Sequence, residues 1–573
     1  MQYYHVKFEL CFKALLDKAS TGNLPAGQSL NLLNWIDEYR EALQAVGMPE
    51  PPSPSLASLT AFEGPLLASH ERMFSQNIDT LALRILTDDW TDMRVEEDES
   101  SDHHTMYTTP APSLFFRLLQ TSSTMAFNLP RTKYALQMAF LVGNAIRKFQ
   151  DVLNDHIDDF NQRFVVGGEE LPVPTAANRS DDNSDEENGQ ADSTQAHEDA
   201  RADAWEQLKH FSFAWMNNCQ DLHDFTVNLQ DFLNRSLFMM HEREVAAEEL
   251  AEQHGGLTRL TSAPLGSPRM SRVDFEDTSS EFLRLGTQLA THVTQLLWKR
   301  ELQPLCNQLL ESGSPEQEVR ADDVIFVLSD MLTNDLRYRV GHTYSERLGK
   351  DLLQLFFLAY FDRLLGKEAR VKYAKRIAEG ESSSILEQDL HAMQDFYDAV
   401  AAHGGADLDD SSDDGGGAGS ERGMNADSGE RNDASSDDEP SISRVVYTLG
   451  RLVKIWEYLF AMLTMEPTVE GLFLGFQNIC SRDTSCPTKL CELILLRRDD
   501  CKKDLRNKIK GMMRERVVEY KSSGILCQLK AVQNIDDVLR RDAEKAAVEA
   551  SAANRKSWKK VGSRVKVGVA MAR

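Results

Sequence analysis

Two apolar stripes between Trp90 and Phe164 constrain the fold more than any other feature of this sequence. In the first, Leu114, Phe115, Leu118, Leu119, Met125 and Ala126 fall on one side of a helix. In the second, Met138, Leu141, Ala145, Phe149 and Val152 step by three, four, four and three. That spacing belongs to a helix burying one stripe along its length. Asn128-Leu129-Pro130 separates the two, and Pro130 interrupts the backbone by removing a donor and crowding the preceding turn.

The same period recurs along the chain. Residues 3–20 and 28–46 read as helices joined by Gly22-Asn23-Leu24-Pro25, and Pro49, Pro51, Pro52 and Pro54 form a stiff connector to a helix from about Ser58 to Asp88. From Trp205 to about Gln253 the stripe is Phe213, Trp215, Met216, Cys219, Leu222, Phe225 and Leu229. Further helical runs carry Leu285 to Leu310, two helices over 321–364, Leu386 to Phe396, Leu449 to Leu463, and shorter helices over 468–481 and 487–496. No run alternates as a strand would. The expected fold is all-α: antiparallel helical bundles stacked into an elongated rod, with long disordered acidic loops.

The breaks give the expected organisation. A helical bundle spans 1–164, an acidic linker 165–203, a central bundle 204–403, a second acidic linker 404–441, a C-terminal bundle 442–525 and a basic helical or disordered tail 526–573. The linkers hold few large apolar residues and cannot bury enough surface to offset chain entropy. Charge follows the same division. The net charge is −27, yet Arg497 to Arg573 carries 21 Lys/Arg against 10 Asp/Glu. Such asymmetry concerns partners more than fold.

Eight cysteines, four of them scattered singly (Cys11, Cys219, Cys306, Cys527), imply no disulfide framework and suit a reducing compartment. No signal peptide is visible, and the most apolar run, Leu352 to Phe361, is about half of the ~20 residues a spanning helix needs. A soluble, cytosolic protein is expected. The two Asn-x-Ser sequons, at Asn178 and Asn234, would then not be glycosylated.

A search for catalytic chemistry finds none. The Gly-Lys pairs precede Asp351 and Glu368 instead of Ser or Thr, so there is no P-loop, and the glycines at 415–417 and 419 lie among acids that would repel a phosphate. Cys480, Cys486, Cys491 and Cys501 are spaced too widely for tight zinc pairs and read as buried thiols; His103-His104 reads as a solvated loop. No cofactor, metal site or catalytic residue is expected. Two candidate site classes remain. Trp558, Lys559, Lys560, Arg564 and Lys566 lie in a terminal stretch without acid that could dock on an anionic surface, or equally be a frayed terminus. Ser184, Ser411 and Ser436 each have an acid three residues downstream, fitting an acidophilic kinase or simply a solubilising spacer.

An ordered series of segments resembles the exocyst complex component three family, the Sec-six subunit. The series is Leu32 to Tyr39 with Trp35-Ile36, Asp89-Trp90, the acidic loop Glu96 to Glu99, Tyr107-Thr108-Thr109-Pro110, Asn217-Asn218-Cys219 with Leu222 and Phe225, and Val371 to Ile377 leading to Leu386, Leu390, Met393 and Phe396. It covers most of residues 1–525. The family usually begins with a coiled-coil helix ahead of the bundles, whereas this sequence opens inside them, and its last fifty or so residues look like an extension. The resemblance implies a non-enzymatic subunit of the exocyst that tethers secretory vesicles before fusion. It would bind other exocyst subunits and SNARE proteins or their regulators, cytoplasmic and peripheral at plasma-membrane secretion sites. Another vesicle tether of this shape, a relative of the tumour-necrosis-factor-induced protein of similar fold, or an adaptor binding RNA or anionic lipid through the tail are the alternatives.

Overall fold

The computed structural model describes residues 14, 26–45, 57–101, 104–129, 132–168, 190–253, 272–309, 319–365, 382–403, 443–482, 488–498, 501–516 and 525–533. Among the described residues the fold is all-α with one short hairpin. In order come α1 (Ala26–Ala45), α2 (Ala57–Asp92), β1 (Glu96–Ser101), β2 (His104–Thr108), α3 (Ala111–Phe127), α4 (Thr132–Phe160) and α5 (Gln190–Gln253). Then follow α6 (Glu276–Leu297), α7 (Gln303–Gln308), α8 (Ala321–Asp330), α9 (His342–Leu365), α10 (Ser382–His403), α11 (Ser443–Thr464), α12 (Val469–Arg482), α13 (Thr488–Arg497), α14 (Lys503–Arg516) and α15 (Lys530–Gln533). π-Helical turns extend α4, α6 and α8, over Asn161–Val166, Trp298–Leu302 and Met331–Leu336. Two compact units result: residues 1–296 with 338–344, and residues 297–337 with 345–573. The span 204–403 contributes to both.

In the first unit the core gathers around α5. Residues Phe211, Phe213, Ala214, Trp215, Met216 and Cys219 are all buried. Every position from 211 to 219 is buried, Ser212, Asn217 and Asn218 included, and α5 is packed by α3, α4 and the hairpin. The α4 stripe is shifted from its sequence steps: Met138, Ala145 and Phe149 are buried together with Val142, Ile146, Leu153 and Ile157, whereas Leu141 and Val152 are half-buried. The α3 stripe splits. Phe115, Leu119 and Ala126 are buried, but Leu114 is 49% exposed and Met125 50%. Phe115 stacks on Phe149 at 4.2 Å. The buried side of α3 is centred on Phe115, Phe116, Leu119 and Ala126, and Leu114 and Met125 lie to the outside of that stripe.

The sequence reading is corrected at the acidic run. Glu96 to Glu99 lies in a strand, β1, paired antiparallel to β2 with Glu97 opposite Tyr107. Met93 makes the entry. It adopts a left-handed conformation (φ 47°), and its N–H donates to Asp89 O at 2.9 Å, closing α2 and redirecting the chain. α5 begins at Gln190, inside the span read as linker.

The second unit is built on Trp456 of α11. Its ring meets Phe356, Phe357, Tyr360 and Phe361 of α9 at centroid distances of 6.1, 6.2, 4.2 and 5.2 Å. Tyr360 Oη donates to the buried Asp389 of α10 at 2.7 Å. Arg497 and Arg498 then fasten two helix ends. Arg497 donates to Leu365 O at 2.7 Å, while Arg498 donates to Met462 O at 2.8 Å and to Met465 O. Cationic donors on terminal carbonyls satisfy groups that the helix itself cannot. Among the described residues no helix is long and apolar enough to cross a membrane.

Candidate functional site: a buried polar junction

Three of the segments quoted for the family resemblance, Asp89-Trp90, Tyr107 to Pro110 and Asn217 to Cys219, meet in the first unit; Leu386 to Phe396 lies in the second unit, and Val371 to Ile377 lies outside the described residues. Asp89 lies in the last turn of α2, Thr109 follows β2, and Asn217 and Asn218 lie mid-way along α5; all four are buried. Thr109 Oγ1 donates to Asp89 Oδ2 at 2.8 Å and accepts from Asn218 Nδ2 at 2.7 Å. The Thr109 N–H donates to Asn218 Oδ1 at 3.1 Å. Asn217 spends its whole amide on backbone. Its Nδ2 donates to Tyr107 O at 2.7 Å and Arg339 O at 2.8 Å, and its Oδ1 accepts from Gly341 N at 2.7 Å. One side chain thus ties the hairpin and the 338–344 segment to α5. A buried amide is tolerated only when its donors and acceptor are used in this way.

Around this knot the chemistry is aromatic and ionic. Trp90 stacks on His156 at 5.3 Å and meets Phe211 and Phe160 edge-on at 5.2 and 6.2 Å, with Trp215 at 5.5 Å. Arg339 places its guanidinium 5.3 Å from the Tyr107 ring centroid and 2.9 Å from His210 Nε2. His210, then Lys209, hold the Glu206 carboxyl down to about 2 against the opposing effect of burial. Asp89 goes the other way. Burial raises its carboxyl to about 6, overcoming the Thr109 hydroxyl and the nearby Trp215 indole, and Glu96 and Asp92 add to the rise. Trp215 Nε1 stands near Asp89 without forming a hydrogen bond.

Through its hydrogen bonds the junction fastens elements of the first unit to one another. Its thiol, Cys219, is fully buried and pushed up by that burial, the environment of an inert cysteine. Tyr344 and Gly286 complete the packing. A Cβ on Gly286 would overlap Tyr344 Oη and approach Cys219 Cβ to 2.8 Å, so only glycine lets α6 sit this close. Cys219, Cys306 and Cys491 are buried free thiols, and among the described residues no group of three or more His, Cys, Asp or Glu could hold a metal. Sequon Asn234 is tied to the backbone of Val273, donating to its O at 3.0 Å and accepting from its N at 2.9 Å.

Trp558, Lys559, Lys560, Arg564 and Lys566, and Ser184, Ser411 and Ser436, lie outside the described residues, as do Asn178 and His103. Sequence reasoning picked out Asp89, Tyr107, Asn217 and Asn218 only as resemblance, placed Cys219 also in an apolar helical stripe, and missed Arg339, Gly341 and Gly286. Gly286 did carry a signal: an isolated glycine inside a strong helical pattern marks a close approach. Nothing local marks Arg339 or Gly341, whose partners are more than a hundred residues away in sequence.

Comparison with known proteins comes down on the same family. Residues 1–265, somewhat less than half of the chain, match the family model described as exocyst complex component Sec6. The resemblance read from the sequence is therefore shown over that span. Among solved structures, the C-terminal domain of the exocyst subunit Sec6p is similar at 9% identity and a TM-score of 0.49, covering 82% of this chain and 97% of that one. M-Sec is similar at 10% identity and a TM-score of 0.43, covering 92% and 69% respectively. No curated protein sequence matches.

Proposed function

We propose that this chain, whose residues 1–265 match the exocyst Sec6 family, is an exocyst subunit that works by binding. Other exocyst subunits are its principal partners, and SNARE proteins or their regulators are met in the same complex at plasma-membrane secretion sites. The family match carries the reading. The polar junction supports it, because several of the residues that carried the resemblance in the sequence, Asp89, Thr109, Asn217 and Asn218 among them, are used in one interlocked structural knot. A protein organised this way presents helix faces held in fixed register, which is what a binding scaffold needs.

The alternative adaptor would work through the basic tail. Deleting residues 555–573 separates the two. A tether subunit retains its stoichiometric exocyst partners on purification, whereas an RNA- or lipid-binding adaptor loses its ligand and brings down no exocyst subunits before or after the deletion.

A further inference from the structure

Helix α3 carries a second apolar stripe, outside the core. At 3.6 residues per turn Leu114, Leu118, Thr121 and Met125 fall within about 60° of one another, spaced by four, three and four. Leu114, Thr121 and Met125 are exposed and Leu118 is half-buried, while Phe115, Phe116, Leu119 and Ala126 serve the core. Exposed apolar residues scattered singly need no explanation, but a row of them along one helix does. The same side is short of charge. α3 has no Asp, Glu or Lys and a single Arg, Arg117, in a chain of which 27% is charged. Along α4, by contrast, Arg147, Lys148, Asp151, Asp155, Asp158 and Asp159 are all exposed. The α3 hydroxyls turn back on their own helix: Ser113, Thr121 and Thr124 donate to Pro110 O, Arg117 O and Gln120 O at 3.0, 2.7 and 2.8 Å. Their donors are used within the helix, so covering them strands no O–H.

We propose that the Leu114–Met125 stripe is a docking face for one amphipathic helix of a partner subunit, apolar at three- and four-residue spacing and acidic along the flank that meets Arg117. This rests on the reading of the chain as a binding subunit and names where that binding occurs. A four-three-four spacing is what a helix packed at a shallow crossing angle engages. A surface low in charge that holds Met and Arg has the composition of an interface core. The stripe runs about 16 Å, enough to seat three turns of a partner helix. Arg117 is exposed, and among the described residues it has no ion-pair partner, so a partner carboxylate fits there. A lipid surface is disfavoured, since a helix seated on one carries several Lys and Arg and this side offers one cation. A second copy would bring one net charge of −27 against another.

Photo-cross-linking from Thr121→p-benzoylphenylalanine in the tagged full chain tests it. On irradiation, position 121 should link to one segment of a co-purifying exocyst subunit, and that segment should show the apolar three-four spacing with Asp or Glu beside it. Leu114→Glu/Met125→Glu should remove the cross-link and lower recovery of that subunit at least about tenfold while melting like wild type. Arg117→Glu should lower recovery less, and Arg117→Lys should retain most of it. Linkage of position 121 only within its own chain, to a second copy, or to a segment without that spacing overturns the proposal. So does a natively melting double variant that recovers every subunit at the wild-type level. A wild-type chain that recovers no other exocyst subunit refutes the binding-subunit reading, and this inference falls with it.

Discussion

Asp89→Asn should not damage this protein at neutral pH, although Asp89 sits at the centre of its polar junction. The carboxyl is 8% exposed, and its hydrogen bond comes from Thr109 Oγ1. Burial raises it from 3.8 to about 6. At about 1.36 kcal/mol per pH unit, the ionised form therefore costs at most about 3 kcal/mol above pH 6. The folded state binds the proton more tightly than the unfolded state, so stability falls as pH rises from about 4 to about 6. Asparagine keeps an acceptor for Thr109 and removes the buried charge, at the cost of an amide donor that needs a partner. A net gain of about 1–2 kcal/mol at about pH 7.5 is expected. A chain of two units need not unfold in one step, so the assay should be local. Hydrogen exchange of peptides spanning 105–112 and 212–220, corrected for intrinsic rates, reports the junction. The wild type should lose protection across that pH window and the variant should not. A variant that exchanges faster than wild type at about pH 7.5 and keeps the acid-side slope would refute the reasoning.

Three further outcomes follow from the same geometry. Asn217→Ala removes the side-chain hydrogen bonds to Tyr107 O, Arg339 O and Gly341 N together and should cost about 2–4 kcal/mol, seen as accelerated exchange in residues 338–344. Gly286→Ala forces its new methyl onto Tyr344 and should cost about 1–3 kcal/mol by thermal melting, with Tyr344→Phe partly rescuing it. Arg498→Met uncovers the Met462 and Met465 carbonyls at the end of α11 and should lower the melting temperature of the second unit; a variant that melts like wild type would remove the capping role.

The helical architecture was legible because it is written in local period: the Phe213–Leu229 and Leu449–Leu463 stripes need only neighbours three and four residues away. What escaped the sequence is what depends on distant partners. Leu114 and Met125 share the period of Phe115 and Ala126, and only the packing of α3 against α4 and α5 decides which row is buried. β1 is Glu-Glu-Asp-Glu-Ser-Ser, a composition depleted in strands, and it pairs because Met93 turns the chain and β2 lies beside it. The acidic side chains also mark it as an edge strand that resists further pairing. The junction was half visible. Asn217, Asn218 and Tyr107 stood out, but nothing near them in sequence announces that Asn217 reaches Gly341.

Affinity purification of the tagged protein at its native level, with quantitative mass spectrometry of what co-purifies, tests the central claim most directly. The account predicts the other exocyst subunits in equimolar amounts. Recovery of the chain alone, or with a different stoichiometric assembly, would contradict it and leave the helical fold without its assigned role.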